Sequence, residues 1–196
     1  MIIKPEELSV REVYQWMIGC IMPRPIAFVS TVSAQGVLNL APFSYFNGVT
    51  SKPPTVCFAP ARTRDGGKKD TLINIEQTGE FVVNTVHEDL LEPMKRTAET
   101  FEPEVDEFSV AGLTPAPSQR VKVPRVAEAL ISMECRLYRI VPIGAAEAGA
   151  GFLVIGEVLL IHVADRILSR GQIDPAKLRP VGRLNGRKYT KLGEVI

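Results

Sequence analysis

Histidine, cysteine and net charge are all scarce in this chain of 196 residues. His87 and His162 are its two histidines, too few for a histidine-rich metal centre. Its three cysteines, Cys20, Cys57 and Cys135, stand far apart and form no CxxC pair, which argues against a redox dithiol or a zinc knuckle. Cys57 and Cys135 fall in apolar, strand-like runs, where a thiol behaves as a small inert hydrophobe. A formal net charge of +1 leaves neither a broad basic surface for nucleic acid nor an acidic tail, so nucleic acid is not expected as a partner. There is no GxSxG nucleophile elbow, no Walker A loop and no GxGxxG dinucleotide fingerprint. The N-terminal stretch MIIKPEELSVREVY is charged early and does not read as a signal peptide. The longest apolar run, Phe152 to Val163, is broken by Gly156 and Glu157 and is not expected to span a membrane. Cytoplasmic residence is the expectation.

What is present is the balance of a folded protein, 45% hydrophobic and 23% charged, enough for one domain over residues 1–196 with a sizeable core. Ser9 and Glu12 offer a capping box for a short packing helix with Val13, Trp16 and Met17 on one face. From Ile26 the chain turns β-rich: Ile26 to Val32, a turn at Ser33–Gly36, an extended run from Val37 to Pro53, and a short strand from Thr55 to Ala59. Asp70 is a natural N-cap for a helix over 71–78 that Gly79 ends, and Glu80 to Val86 reads as a strand. A second amphipathic helix is expected over 88–100. Residues 101–126 hold Pro103, Pro115, Pro117 and Pro124 and little periodicity, as a long surface excursion would. Glu128 to Tyr138 alternates cleanly and Phe152 to Val163 is strand-like, so the two form a hairpin. Many short strands with few short helices and no βαβ alternation predict a mainly β protein, a β-barrel.

Two segments could carry chemistry. The loop Arg62 to Asp70 packs Arg62, Arg64, Lys68 and Lys69 around two glycines before a helix start, where free N–H groups and the dipole attract anions. With the Thr71 hydroxyl it makes either a phosphate cradle or an ordinary solvated loop and cap. In Asn39 to Asn47, NLAPFSYFN, an extended chain would alternate Pro42, Ser44 and Phe46 against Phe43, Tyr45 and Asn47. That interleaving suits a flat ring with a phosphate tail, or a barrel strand with aromatic core residues. Side-chain catalysts are poor: Ser30, Thr31 and Ser44 lack a histidine at a recognisable spacing. Glu134 and Glu157 read as a solvated strand face, His162 as a satisfied structural histidine, and Tyr189 as a ligand neighbour or a packing residue. Any chemistry therefore points to a bound cofactor.

Taken together, the segments Arg24–Val32 with Gly36, Asn39–Asn47, Pro53–Ala59, Lys69–Thr71, Glu80–Asn84, Gly156–Val158 and Pro180–Leu184 with Tyr189 resemble the flavin reductase-like proteins, in particular the flavoredoxin-like branch. The resemblance covers about residue 20 to the end. It implies an FMN-binding split barrel, six-stranded, antiparallel and of Greek-key type, usually a homodimer. By the same resemblance, Ser44, Tyr45, Phe46 and Asn47 line the flavin. Ala59 and Pro60 lie along its ring or ribityl chain, and Arg62, Lys69, Asp70 and Thr71 hold its phosphate. The implied chemistry is hydride transfer from NADH or NADPH to the flavin N5, with electrons passing to an acceptor protein or a monooxygenase and no side-chain acid or base required. The alternatives are an FMN electron carrier reduced by a partner protein, and a split-barrel binding protein without redox activity.

Overall fold

The computed structural model describes residues 1–195. Seven strands form the main sheet: β1 (Ala27–Val32), β2 (Leu38–Phe43), β3 (Phe46–Ser51), β4 (Pro54–Phe58), β5 (Glu80–Thr85), β6 (Ile131–Ile143) and β7 (Gly151–Val163). They lie in the order β2-β1-β5-β6-β7-β4-β3, with every neighbouring pair antiparallel. The mainly β architecture is as expected, with one strand more than six because the run after Val37 divides. Ser44 and Tyr45 break it, so β2 and β3 are consecutive in sequence yet sit at opposite edges of the sheet. No glycine or asparagine marks that break, which is why the sequence reads as one extended stretch.

Aromatic rings close the barrel across this split. Phe43 of edge strand β2 lies 5.0 Å from Phe58 of β4, and Phe58 meets Phe81 of β5 edge-on at 5.6 Å. Val29, Val83, Cys135 and Val154 fill the same interior, roofed by Leu72 and Ile75 of the helix α2 (Asp70–Thr78). Each such fully buried ring contributes roughly 1.5–3 kcal/mol by leaving water. The packing is tight where β7 passes Phe81: a Cβ added at Gly156 would lie 2.3 Å from the Phe81 ring.

The helix α1 (Val10–Cys20) starts at the expected capping box: the Glu12 N–H donates to Ser9 Oγ and the Ser9 N–H returns a bond to Glu12 at 2.9 Å. Its apolar face is not a packing face within the chain. Ile18 alone is buried, whereas Tyr14, Trp16 and Met17 are exposed. For α2 the N-cap is Lys69 rather than Asp70, which is the first helical residue, and Gly79 ends the helix at φ +71°. The helix α3 (Leu91–Arg96), entered by a 3-10 turn at Glu88–Leu90, stops short of the expected Thr100.

Residues 101–126 correct the reading of a surface excursion. They form the helix α4 (Glu107–Ala111) and bury Phe108, Ala111, Leu113 and Val126 against Phe28 and Leu40 on the outer face of β1 and β2. A C-terminal hairpin of β8 (Val181–Arg183) and β9 (Tyr189–Lys191) joins the sheet end through Arg24, whose backbone exchanges bonds with that of Arg183 at 2.9 and 2.8 Å. Among the described residues no helix is long and apolar enough to cross a membrane.

Candidate functional site

The split in the barrel places the expected site residues at one end of the sheet. Ser44 and Tyr45 form the crossing turn, and Phe46 and Asn47 open β3 opposite Phe58 and Cys57. The Ala59 N–H donates to the Tyr45 carbonyl at 2.8 Å, which fixes the exit of β4 beside that turn. The Pro60 carbonyl accepts from Phe152 at 3.0 Å and the Arg62 N–H donates to Ala150 at 2.9 Å, so this segment follows β7 to its beginning.

Of the loop cations, Lys68 pairs with Glu76 at 2.7 Å, whereas Arg62 and Lys69 form no ion pair among the described residues. The Arg62 guanidinium stacks 4.6 Å from the Phe152 ring and donates to the Gly66 carbonyl at 2.8 Å, but its Nε is buried with no acceptor. The Lys69 ammonium lies 5.7 Å from the centroid of Phe43. The side chain is exposed along part of its length, yet loss of water around the ammonium holds its pKa below the usual lysine range, with neighbouring Asp70 opposing. Among the described residues no side chain caps α2, and the first N–H groups of a helix have no partner inside it. The start of α2, Lys69 and the unpaired Arg62 Nε are therefore donors without acceptors.

Thr71 departs from the expected cradle. It is buried, and its hydroxyl accepts from Asn39 Nδ2 at 3.0 Å, in a cluster where Asn39 and Asn74 both donate to Thr31 Oγ1. Its backbone N–H, not its hydroxyl, faces the helix start. An open cleft of about 750 Å³ adjoins, lined by Tyr14 of α1, Arg62, Arg64 and Gly149. At Gly149, φ +94°, a Cβ would meet Val10 at 2.4 Å, so α1 can close on this wall only against glycine.

Residues 18–177 match the family described as flavin reductase like domain. The chain belongs to that family. This places its chemistry among flavin-linked oxidoreductases. Over its whole length the chain is 41% identical to nitrilotriacetate monooxygenase component B from Bacillus cereus, covering 97% of that structure with a TM-score of 0.95. It is 29% identical to 2-nitrobenzoate 2-nitroreductase from Pseudomonas fluorescens, over 100% of this chain and 94% of that one, with a TM-score of 0.88. A Shewanella frigidimarina protein with a split barrel domain is 22% identical over 100% of this chain and 97% of its own, TM-score 0.84, a likeness of fold alone.

The reading from sequence missed Arg24 as a site residue of this flavin reductase-like chain. Arg24 is 3% exposed, and no carboxylate lies within ion-pair distance among the described residues. Its guanidinium donates to the carbonyls of Ile18, Ile21 and Leu184 and to Ser44 Oγ, the last at 3.4 Å, and lies 6.0 Å from the Tyr45 ring. One buried cation thus ties the end of α1, the crossing turn and the C-terminal hairpin together. Only its partners reveal this; a lone arginine before a proline carries no such signal. Tyr45, next to it, has its pKa raised by burial and by Tyr14, with Arg24 opposing.

Proposed function

We propose that this groove binds FMN and that the chain is an NAD(P)H-dependent flavin reductase whose acceptor is a monooxygenase. Two observations carry the reading: the start of α2 is uncapped, and Arg62, in the loop that leads to it, keeps a buried Nε without an acceptor among the described residues. Anions bind where free N–H groups, a helix dipole and fixed cations converge. The FMN phosphate would take the N–H groups of Asp70 and Thr71, the Lys69 ammonium and Arg62. The turn Ser44–Tyr45, with Phe46 and Asn47, would line the ring, and Ala59 and Pro60 would border the ring or ribityl chain. Bound FMN supplies hydride acceptance and electron release, so the protein needs no acid or base of its own. Its residues bind, orient and shield: Arg24 holds the ring-side turn in place, and an anion beside Lys69 would offset the desolvation of that ammonium. The whole-length similarity to a monooxygenase component B supports a monooxygenase as acceptor.

The same reading makes the protein a cytoplasmic homodimer. Tyr14, Trp16 and Met17 of α1, Ile21 just after it, Tyr45 of the crossing turn and Val49 of the edge strand β3 expose large apolar side chains. Apolar exposure and an open strand edge both ask for a covering surface, here a second copy.

Anaerobic absorbance titration with FMN, then with NADH and NADPH, tests the reading. The expected result is a flavin spectrum perturbed on binding and bleached by a nicotinamide. Binding without bleaching by either nicotinamide would move the protein to an electron carrier reduced by a partner, and no binding would overturn the FMN reading. Light scattering of the same sample reports the dimer.

A further inference from the structure

The C-terminal hairpin builds a second cationic place. Arg183, Arg187 and Tyr189 share a cleft of about 360 Å³ with Lys95, Arg96, Glu92 and Glu99, so its cations outnumber its carboxylates. A hollow of about 170 Å³ adjoins it, lined by Ser44, Pro42 and Tyr14 and sharing Arg183, Tyr189 and Ala98 with the cleft. The two therefore run together from the Ser44 turn to Arg187.

Charge in the cleft is unevenly satisfied. Lys95 pairs with Glu92 at 2.8 Å, and Arg96 donates to the Ala111 carbonyl at 2.9 Å. Arg183 and Arg187 have no carboxylate partner among the described residues; Glu88, which pairs with Lys191 of the same hairpin at 2.8 Å, is shared with Arg179. Arg183 is nonetheless held still. It donates to the Gly186 carbonyl at 2.6 Å and to the Tyr189 hydroxyl, and it stacks 4.5 Å from that ring. A guanidinium oriented by stacking, with donors to spare and no carboxylate at ion-pair distance among the described residues, suits a planar or multi-oxygen anion. The exposed Arg187 adds a second charge at the outer end.

We propose that this cleft anchors the anionic part of the small molecule that exchanges electrons at the flavin, a diphosphate or a carboxylate, with Arg183 and Arg187 as specificity-determining residues. The inference rests on flavin lying against the Ser44 turn. A molecule held by Arg183 and Arg187 extends through the shared hollow to that turn, so the anion sets which compound reaches the ring. The diphosphate would belong to a nicotinamide dinucleotide donor, the carboxylate to an acceptor.

Calorimetric titration of the full chain, with and without FMN, by inorganic pyrophosphate and by benzoate tests this. Wild type is expected to bind at least one of the two, and Arg187→Gln and Arg183→Lys each to weaken it about tenfold. FMN affinity should stay within about twofold, and Lys122→Gln, a charge lost elsewhere, should change nothing. Pyrophosphate binding, with a matching rise in half-saturating NADH in anaerobic stopped flow, identifies the donor. Benzoate binding with unchanged NADH saturation identifies the acceptor. Wild type binding neither anion, or both variants binding as wild type does, overturns the proposal. A chain that refuses FMN but binds pyrophosphate through Arg187 would sink the flavin reading and leave the cleft standing.

Discussion

Charged groups on the two sides of this barrel meet opposite fates. On the outer face of β6, Glu134 is fully buried and accepts the N–H groups of Gln119, Arg120 and Val121 at 2.8, 2.5 and 3.2 Å, with His162 Nε2 at 2.5 Å. Burial pushes its pKa up, but these bonds outweigh it and hold the carboxyl below its ordinary value. At the split, Arg24, Arg62 and Lys69 lie against Tyr45, Phe152 and Phe43 and pair with no carboxylate among the described residues. One side satisfies its charge from within the chain and so pins a loop. At the split Arg24 is satisfied by carbonyls, but Arg62 Nε and the Lys69 ammonium have no acceptor among the described residues, the condition for holding something that is not protein.

The comparison breaks most sharply at Glu134. Glu134→Ala strands three backbone donors and the histidine, and should cost about 3–5 kcal/mol of stability, measured by urea denaturation. FMN affinity of the folded fraction should not change. A variant as stable as wild type would mean that solvent, not the carboxylate, satisfies the loop. That would make the two sides alike.

Lys69→Ala is the mirror experiment. It should leave denaturation nearly unchanged, because the ammonium gains little from the protein, but weaken FMN binding by about 1.5–3 kcal/mol through one lost charge-assisted contact. Fluorescence titration gives the affinity. Loss of stability without loss of affinity would reverse the assignment. Thr71 sharpens the point: its hydroxyl serves Asn39, so Thr71→Val should disturb folding more than affinity.

The same contrast explains what was legible in the sequence. The strands at Glu128–Tyr138 and Phe152–Val163, the capping box at Ser9 and the helix end at Gly79 are local signals, and the structure keeps them as β6, β7, the start of α1 and the end of α2. Satisfaction of charge is not local. Glu134 reads as solvated by alternation alone, because the loop that buries it lies 13 to 15 residues away in sequence. Arg24 reaches Leu184 from 160 residues away. In the 101–126 segment the one helix, Glu107–Ala111, is too short for the shared face of Phe108 and Ala111 to stand out as a period, and so the segment reads as surface. The candidate site positions come from family resemblance; the partners of each side chain come only from packing.

The smallest effect lies where the two sides touch. Glu107 on α4 is 8% exposed and accepts the Leu40 N–H at 3.0 Å. Burial, with Asp70 and Asp106 nearby, raises its pKa to about 7 from 4.5, against the opposing pull of its backbone bonds. The folded state therefore keeps this proton where the unfolded chain has lost it. Stability from this group is full below about pH 4.5 and falls as pH rises to about 7, by on the order of 1–2 kcal/mol. Glu107→Gln keeps an oxygen for Leu40 and should flatten that fall, as urea midpoints between pH 5 and 8 will show. Because Asp70 opens α2, ionised Glu107 also adds negative charge behind the groove's anion donors. FMN affinity should then drop as pH passes about 7 in wild type and less so in Glu107→Gln. Equal pH profiles in the two proteins would separate Glu107 from the groove and confine it to the carboxylate side of the molecule.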